Sequence, residues 1–308
     1  MLTVSAPAKI NWSLYVLDRR GDGYHNILSL MHCIGLYDTL TFERSDTLEL
    51  VSDMDIPAED NLVFKAAEML RKYSSASPGA RITLKKEIPS GAGLGGGSSD
   101  AACTLAGLNR LWGLGLDNGA LSAIGGRLGS DVPFFFHGPL AVAEGRGEVL
   151  TTLKIDVPYV VMVVKPPVSV HTGWAYEEIR ARRRESGPGR RADKTGSGKE
   201  LTKTDNKMDN IQFIYNALEK GDFLELKRFV YNDFESVVLG RHPVIGSIKE
   251  TLLACGAALA AMSGSGSAVF GLFEDRERAL CASGHFRSYF HKVVETLTTA
   301  AGNEQKDR

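Results

Sequence analysis

Five of the seven residues from Gly91 to Gly97 are glycine, within the run Pro89-Ser-Gly-Ala-Gly-Leu-Gly-Gly-Gly-Ser-Ser-Asp-Ala-Ala102. Glycine loses more backbone entropy on folding than any other residue, so this density is costly inside a helix or strand. It is useful where the backbone must approach a ligand closely or adopt positive φ. The run lies between an alternating, strand-like stretch over 81–88 and a helical pattern over 98–112, where Ala101, Leu105, Leu108 and Trp112 share one stripe. Regular elements on both sides exclude a plain flexible linker. The first amides of a helix have no internal partners and carry the positive end of its dipole. A glycine loop feeding such an end is a phosphate cradle, and Ser98 and Ser99 add hydroxyl donors at its mouth.

Two common nucleotide loops fit this run poorly. Gly91, Gly93 and Gly96 satisfy G-x-G-x-x-G, a weak match alone. A dinucleotide-binding strand is buried on both faces and nearly all apolar, whereas Lys85, Lys86 and Glu87 stand here. The 81–88 strand reads instead as having one wet face. A Walker loop requires Gly-Lys-Ser/Thr, and no lysine follows these glycines. A nucleoside-triphosphate site of another class remains.

The 308 residues exceed one ordinary core, so two domains are expected, over 1–154 and 155–308. A net charge of -1 gives no support for a nucleic-acid binder. Cys33, Cys103, Cys255 and Cys281 lie far apart with no zinc-ligand spacing, which suits reduced thiols in the cytoplasm. The N-terminus lacks the pattern of a secretory signal, and the apolar run from Tyr159 to Val164 is too short to span a bilayer. No membrane partner is expected.

Elsewhere, residues 2–17 alternate like a strand around a Pro-Ala-Lys interruption, and a charged turn over 19–23 precedes Tyr24-His25. Residues 60–73 predict a helix with Leu62, Ala66, Met69 and Tyr73 as its buried stripe. A helix over 117–128 is expected to end at Gly129 as its cap. Residues 209–240 and 244–255 read as helical, and 268–273 as a strand following a small-residue loop. The segment 182–207 holds nine Lys/Arg, four Asp/Glu and almost no apolar side chain. It reads as a mobile surface loop, an insertion more readily than an anion-binding arm.

The glycine run resembles the second motif of the superfamily named after galactokinase, homoserine kinase, mevalonate kinase and phosphomevalonate kinase. Ala6-Pro-Ala-Lys-Ile-Asn11 resembles its first motif, and Met262-Ser-Gly-Ser-Gly-Ser-Ala-Val-Phe270 its third. Within it, the stretches APAKINWSLYV, RRGDGYH, LGSDVPFFFHG and EGRGE are similar to the family that phosphorylates 4-diphosphocytidyl-2-C-methyl-D-erythritol on the non-mevalonate route to isoprenoids. This resemblance covers 2–150 closely and 155–275 loosely, and 182–207 not at all. It implies an α+β fold: an N-terminal domain with a left-handed βαβ unit and a ferredoxin-like C-terminal domain. Statistics of parallel crossovers would favour the right-handed form.

The resemblance also implies roles. ATP would lie on Pro89, Ser90, Gly91, Ala92, Gly93, Leu94, Gly95, Gly96, Gly97, Ser98 and Ser99. Lys9 and Asp131 would be catalytic, although a lysine is ordinarily a solvated charge and an aspartate after a helix ordinarily a turn residue. Val132-Pro133 and three phenylalanines would hold the Asp131 carboxylate in a dry setting suited to a base. Asn11, Tyr24 and His25 would contact the acceptor, Tyr24-His25 at its cytidine, with Thr172 and Tyr176 lining the same pocket from the second domain. An aromatic face stacks on a pyrimidine and an imidazole hydrogen-bonds its edge. Residues 263–267 read equally as phosphate donors or as a tight interdomain turn.

Mg2+ accompanies ATP chemistry, but no clustered carboxylates announce its ligands. Water, phosphate and a hydroxyl such as Ser98 are expected there. Two other readings stay open: another kinase of the superfamily acting on mevalonate or homoserine, and a non-catalytic nucleotide-binding shell. Tyr24-His25 speaks against the first, and the joint presence of Lys9 and Asp131 against the second.

Overall fold

The computed structural model describes residues 1–74, 78–185 and 206–300. Two sheets organise the chain. The larger is built on β1 (Leu2–Arg19) and β2 (His25–Ser45), a long antiparallel pair. Its register shifts between Pro7 and Ala8, where proline offers no ladder donor. β3 (Leu48–Ser52), α1 (Leu62–Arg71) and β4 (Gly79–Lys85) follow as a βαβ unit with β3 and β4 parallel. Then come α2 (Gly96–Trp112), α3 (Asn118–Gly125), β5 (Leu140–Glu144) and β6 (Val149–Leu153). β4 pairs with the C-terminal half of β2 and β5 with its N-terminal half.

The second sheet contains β7 (Val160–Lys165), β9 (Leu259–Met262), β10 (Val269–Phe273) and β11 (Phe290–Glu295), in the order β11-β7-β10-β9. Counted along the chain, the fourth strand flanks the first, then come the third and the second. This is the ferredoxin-like arrangement. Between β7 and β9 run α4 (Thr172–Glu185), α5 (Lys207–Lys220), α6 (Phe223–Phe229), the short β8 (Tyr231–Asn232), α7 (Glu235–Arg241) and α8 (Pro243–Ala254); α9 (Arg276–Ala282) precedes β11. β8 crosses back and adds a parallel strand to β1 at Ser13 and Leu14.

Apolar side chains from both sheets meet in one core. Trp12 is its joint. Its ring packs edge-on against Phe270 of β10 (5.5 Å, 88°) and Tyr159 just before β7 (6.0 Å, 76°), and its Nε1–H donates to His32 Nδ1 at 3.0 Å. The opposite face of the first sheet is covered by α1, α2 and α3.

Several sequence expectations need correction. The α1 stripe is Val63, Ala66, Ala67 and Leu70, while Tyr73 lies past the helix and is exposed. The Asn61 side chain caps the Val63 amide and so sets the helix's rotation. α3 ends at Gly125 with Gly126 as its cap, not Gly129. The 209–240 stretch is not one helix: Gly221 terminates α5 in left-handed geometry, Asp222 caps α6, and β8 interrupts again. Most of the basic segment, 186–205, lies outside the described residues. Its first residues belong to α4, where Arg183 donates to the carbonyls of Val16 (2.8 Å) and Leu17 (3.2 Å).

Candidate active site

The three small-residue motifs meet through their backbones. The Lys9 amide donates to Leu94 O at 2.8 Å, and the Ala268 amide to Ala92 O at 3.0 Å. Ser263 Oγ donates to Gly93 O at 3.0 Å. Gly93 has φ +78°, and a Cβ there would sit 2.1 Å from Ser263 O. This glycine is demanded by the contact between two loops of the protein itself. Residues 263–266 are therefore a wall against the glycine loop, built from the second sheet.

Gly91, Gly93 and Gly95 all take positive φ, and Gly95 is the residue before α2 with no side-chain cap. The helix begins at Gly96, earlier than its apolar stripe suggests, because the stripe starts only where α2 meets the sheet. The Ser99 amide is the first to return into the turn, onto Gly95 O at 2.9 Å. Gly97 is exposed at this end.

Lys9 is buried in β1. Its Nζ donates to Asn11 Oδ1 at 2.8 Å and lies 3.5 Å from Asp131 Oδ2, whose side chain is about a third exposed. Asn11 is a hub: Oδ1 also accepts from the Gly264 amide at 2.9 Å, and Nδ2 donates to Ser29 Oγ at 2.8 Å. Asp131 follows the turn after α3 and precedes a short 3-10 turn over Pro133–Phe136.

A cavity of about 610 Å³ opens beside this pair. Lys9, Asn11 and Asp131 form one part of its wall with Gly91, Gly93 and Gly95; Tyr24, His25, Thr172 and Tyr176 form another. The His25 and Tyr176 rings stack at 5.3 Å and 12°, and Phe234 buttresses Tyr176 edge-on at 4.9 Å. Burial foremost, then the nearby Asp131 charge, push the Tyr176 phenol up to about 12. Thr172 Oγ1 and Ser265 Oγ share a hydrogen bond of 2.8 Å. Tyr24 is half-exposed, with the Arg146 guanidinium 5.2 Å above its ring.

The other expected nucleotide residues are placed differently. Pro89, Ser90, Gly96, Gly97, Ser98 and Ser99 do not line the cavity. The Ala92 and Leu94 side chains are buried in the core. Three arginines on the cavity wall, Arg19, Arg146 and Arg180, were not singled out from the sequence. Arg146 stands in EGRGE, the clearest signal available; Arg180 looks like any exposed helical arginine. Lys86 also departs from expectation. It is not on a wet face, because its ammonium turns inward to Asp38 and Asp100.

Among the described residues no helix is long and apolar enough to cross a membrane, and no group of three His, Cys, Asp or Glu could hold a metal.

Comparisons with known proteins agree with this geometry. Residues 61–139 match the N-terminal domain of the GHMP kinases and residues 214–291 their C-terminal domain. The 4-diphosphocytidyl-2-C-methyl-D-erythritol kinase of Thermodesulfovibrio yellowstonii is 46% identical over 297 residues, 96% of this chain and 98% of that protein. The kinase of the same name from Chlorobium phaeobacteroides is 41% identical, over 94% of this chain and 95% of its own. A crystal structure of 4-(cytidine 5'-diphospho)-2C-methyl-D-erythritol kinase superposes with a TM-score of 0.77 at 32% identity, covering 96% of this chain and 99% of that one. A homoserine kinase from Cytophaga hutchinsonii shares the fold, with a TM-score of 0.70 at 19% identity over 98% of this chain and 96% of that one. Loop contacts, sheet order and sequence similarity thus converge, and this chain belongs to the 4-diphosphocytidyl-2-C-methyl-D-erythritol kinase family of the GHMP kinases.

Proposed function

We propose that this chain transfers the γ-phosphoryl group of ATP to the 2-hydroxyl of 4-diphosphocytidyl-2-C-methyl-D-erythritol. One observation carries the reading. A single cavity joins a glycine phosphate loop, a Lys–Asp pair and a stacked His–Tyr platform. The glycine loop and the N-terminus of α2 hold the triphosphate through backbone amides. Residues 1–154 supply this loop and the reacting pair, while 155–308 close the acceptor side with Thr172, Tyr176 and the 263–266 wall.

Phosphoryl transfer through a loose transition state depends on alignment and charge stabilisation. Asp131 accepts a hydrogen bond from the acceptor hydroxyl, aims its oxygen at the γ-phosphorus and takes the proton as the P–O bond forms. ADP leaves with the electron pair of the broken bond. Lys9, held by Asn11, faces the negative charge that develops between acceptor and phosphoryl group. His25 and Tyr176 present an aromatic face and a hydrogen-bonding edge to the cytosine, with Tyr24 beside them.

Magnesium would enter with the nucleotide. A hydroxyl such as Ser98 would be one ligand from this chain, and no step here runs through the metal. Four free cysteines fit a reducing, cytosolic setting.

The test is a phosphoryl-transfer assay with four acceptors: the cytidine-diphosphate compound, methylerythritol phosphate, mevalonate and homoserine. Turnover is expected with the first alone. Equal or better turnover of mevalonate or homoserine would overturn the assignment.

A further inference from the structure

The Lys9 side chain is fixed at two points. Its stem lies against the glycine loop: a Cβ on Gly95 would come within 2.9 Å of Lys9 Cγ and 3.2 Å of Lys9 Cε. Its head is aimed by Asn11, whose Oδ1 accepts from Lys9 Nζ at 2.8 Å and from the Gly264 amide at 2.9 Å. A carboxamide has an oxygen on one side and an NH2 group on the other, and a half-turn exchanges them. Reversed, Asn11 would meet an ammonium and a backbone N–H with donors only.

Ser29 holds the other side of that amide. Its hydroxyl donates to the Ser13 carbonyl at 2.6 Å and accepts from Asn11 Nδ2 at 2.8 Å. A hydroxyl carries one hydrogen, and here it is committed to Ser13 O. Towards Asn11 the oxygen can therefore only accept, which requires the NH2 group there and turns Oδ1 to Lys9 and Gly264. Ser29 is fully buried, with Asn11 and Lys9 nearly so, and bulk water does not replace a lost partner at this depth. Ser29 does not line the cavity, so any effect it has on transfer passes through Asn11.

A bulge in β1 makes this contact possible. The ladder pairs Asn11 with Met31 and Ser13 with Leu30, leaving Trp12 as an extra residue. In a regular strand Asn11 and Leu14, three residues apart, would point to opposite faces. Here both line the cavity together with Lys9. Ser29 stands opposite Leu14 in the ladder and thus shares the face of Asn11. We propose that Ser29 is a positioning residue for phosphoryl transfer: acting through the Asn11 amide, it holds the Lys9 ammonium and the Gly264 peptide in place beside the reacting groups. The proposal rests on the reading that Lys9 faces the charge that develops during transfer.

Single-turnover transfer at saturating ATP and acceptor, steady-state KM values and the thermal midpoint are measured for the full chain, Ser29→Ala, Ser29→Thr, Asn11→Ala and the Asn11→Ala/Ser29→Ala double variant. Ser29→Ala should lower the transfer rate by roughly tenfold, the scale of one hydrogen bond. Both KM values should stay near those of wild type, because Lys9 answers charge that appears only in the transition state. Ser29→Thr keeps the hydroxyl and should recover most of the rate. On the Asn11→Ala background Ser29→Ala should cost no further rate, since the two residues act as a unit. A lowered midpoint with a parental rate per folded site would make Ser29 merely structural and overturn the proposal. An equal fall in both backgrounds would overturn it too. Should Ser29→Ala not fold, Ser29→Cys, similar in shape but a weaker acceptor, replaces it in the same comparisons. A parental rate for Lys9→Ala would overturn the reading of Lys9 and the proposal with it, whereas an impaired Lys9→Ala beside a parental Ser29→Ala would overturn the proposal alone.

Discussion

Lys9 Nζ stands 3.5 Å from Asp131 Oδ2, joining the first strand to the turn after the third helix. On the proposed reading the pair shares one task at the acceptor hydroxyl. Asp131→Asn keeps the shape but cannot accept the proton. Single-turnover transfer at saturating ATP and acceptor should fall by ~10²–10⁴-fold with ATP affinity nearly unchanged. Lys9→Ala should fall comparably, and the double variant should be little worse than either single, because residues acting as a unit are not additive. A near-parental rate for Asp131→Asn would reduce this aspartate to a turn residue.

Two glycines of one loop should respond in opposite ways. A Cβ at Gly97 meets nothing nearer than Leu62 Cδ1 at 3.5 Å, so Gly97→Val leaves the protein's own contacts intact. Its branches would project at the open end of α2, and ATP affinity should weaken by roughly tenfold or more, the scale of one lost charge-assisted hydrogen bond. Gly93→Ala would instead force its methyl onto Ser263 O, 2.1 Å away. That variant should lose thermal stability before any question of ligand arises. Unchanged ATP affinity in a folded Gly97→Val protein would count against the loop as phosphate cradle.

The His25–Tyr176 stack makes a prediction about the acceptor. His25→Ala removes one face of the platform and the hydrogen-bonding edge beside it. The acceptor KM should rise by roughly tenfold or more, the scale of one stacked base, while the ATP KM stays near its parent value. Equal KM values for both substrates before and after would make His25 structural.

His32 predicts a pH dependence of stability. It is fully buried, accepts from Trp12 on Nδ1 and, with Nε2–H, donates to Leu297 O at 2.9 Å. Burial, partly offset by the Leu297 carbonyl, holds its imidazole down at about 4. A depressed histidine is neutral when folded, so its contribution is present above the unfolded value near 6.5 and is lost as pH falls towards 4. The loss should be on the order of 3 kcal/mol across that window. Urea titrations of wild type and His32→Gln between these limits should converge as pH falls; parallel curves would contradict the assignment.

Replacing 186–205 by a short Gly/Ser link should leave turnover within a few-fold of wild type, since this composition cannot bury a core. The cut must spare Arg183, which bridges α4 to the end of β1 and to Asp233 at 3.3 Å. Loss of ATP or acceptor affinity that tracks the removed arginines would instead reveal an anion-binding arm.

Local physics made much of this protein legible in one dimension. A dense run of glycine before a helix marks a loop that takes positive φ, as Gly91, Gly93 and Gly95 do, because the entropy cost and the open helix amides are local properties. Alternation marked β4, and three ordered motifs identified the superfamily. The rest depended on what the fold brings together. Nothing in the chain between them predicts that Lys9 and Asp131 meet, that Gly93 must clear Ser263, or that His25 finds Tyr176 across the cavity. Lys86 is the sharpest case. Its charge says solvent, yet it has the parity of the buried Ile82 and Leu84, and two distant carboxyls, Asp38 and Asp100, supply the partners that let a cation leave water. Proximity between remote residues is decided only when both sheets close on Trp12, and the chemistry of the site follows from that closure.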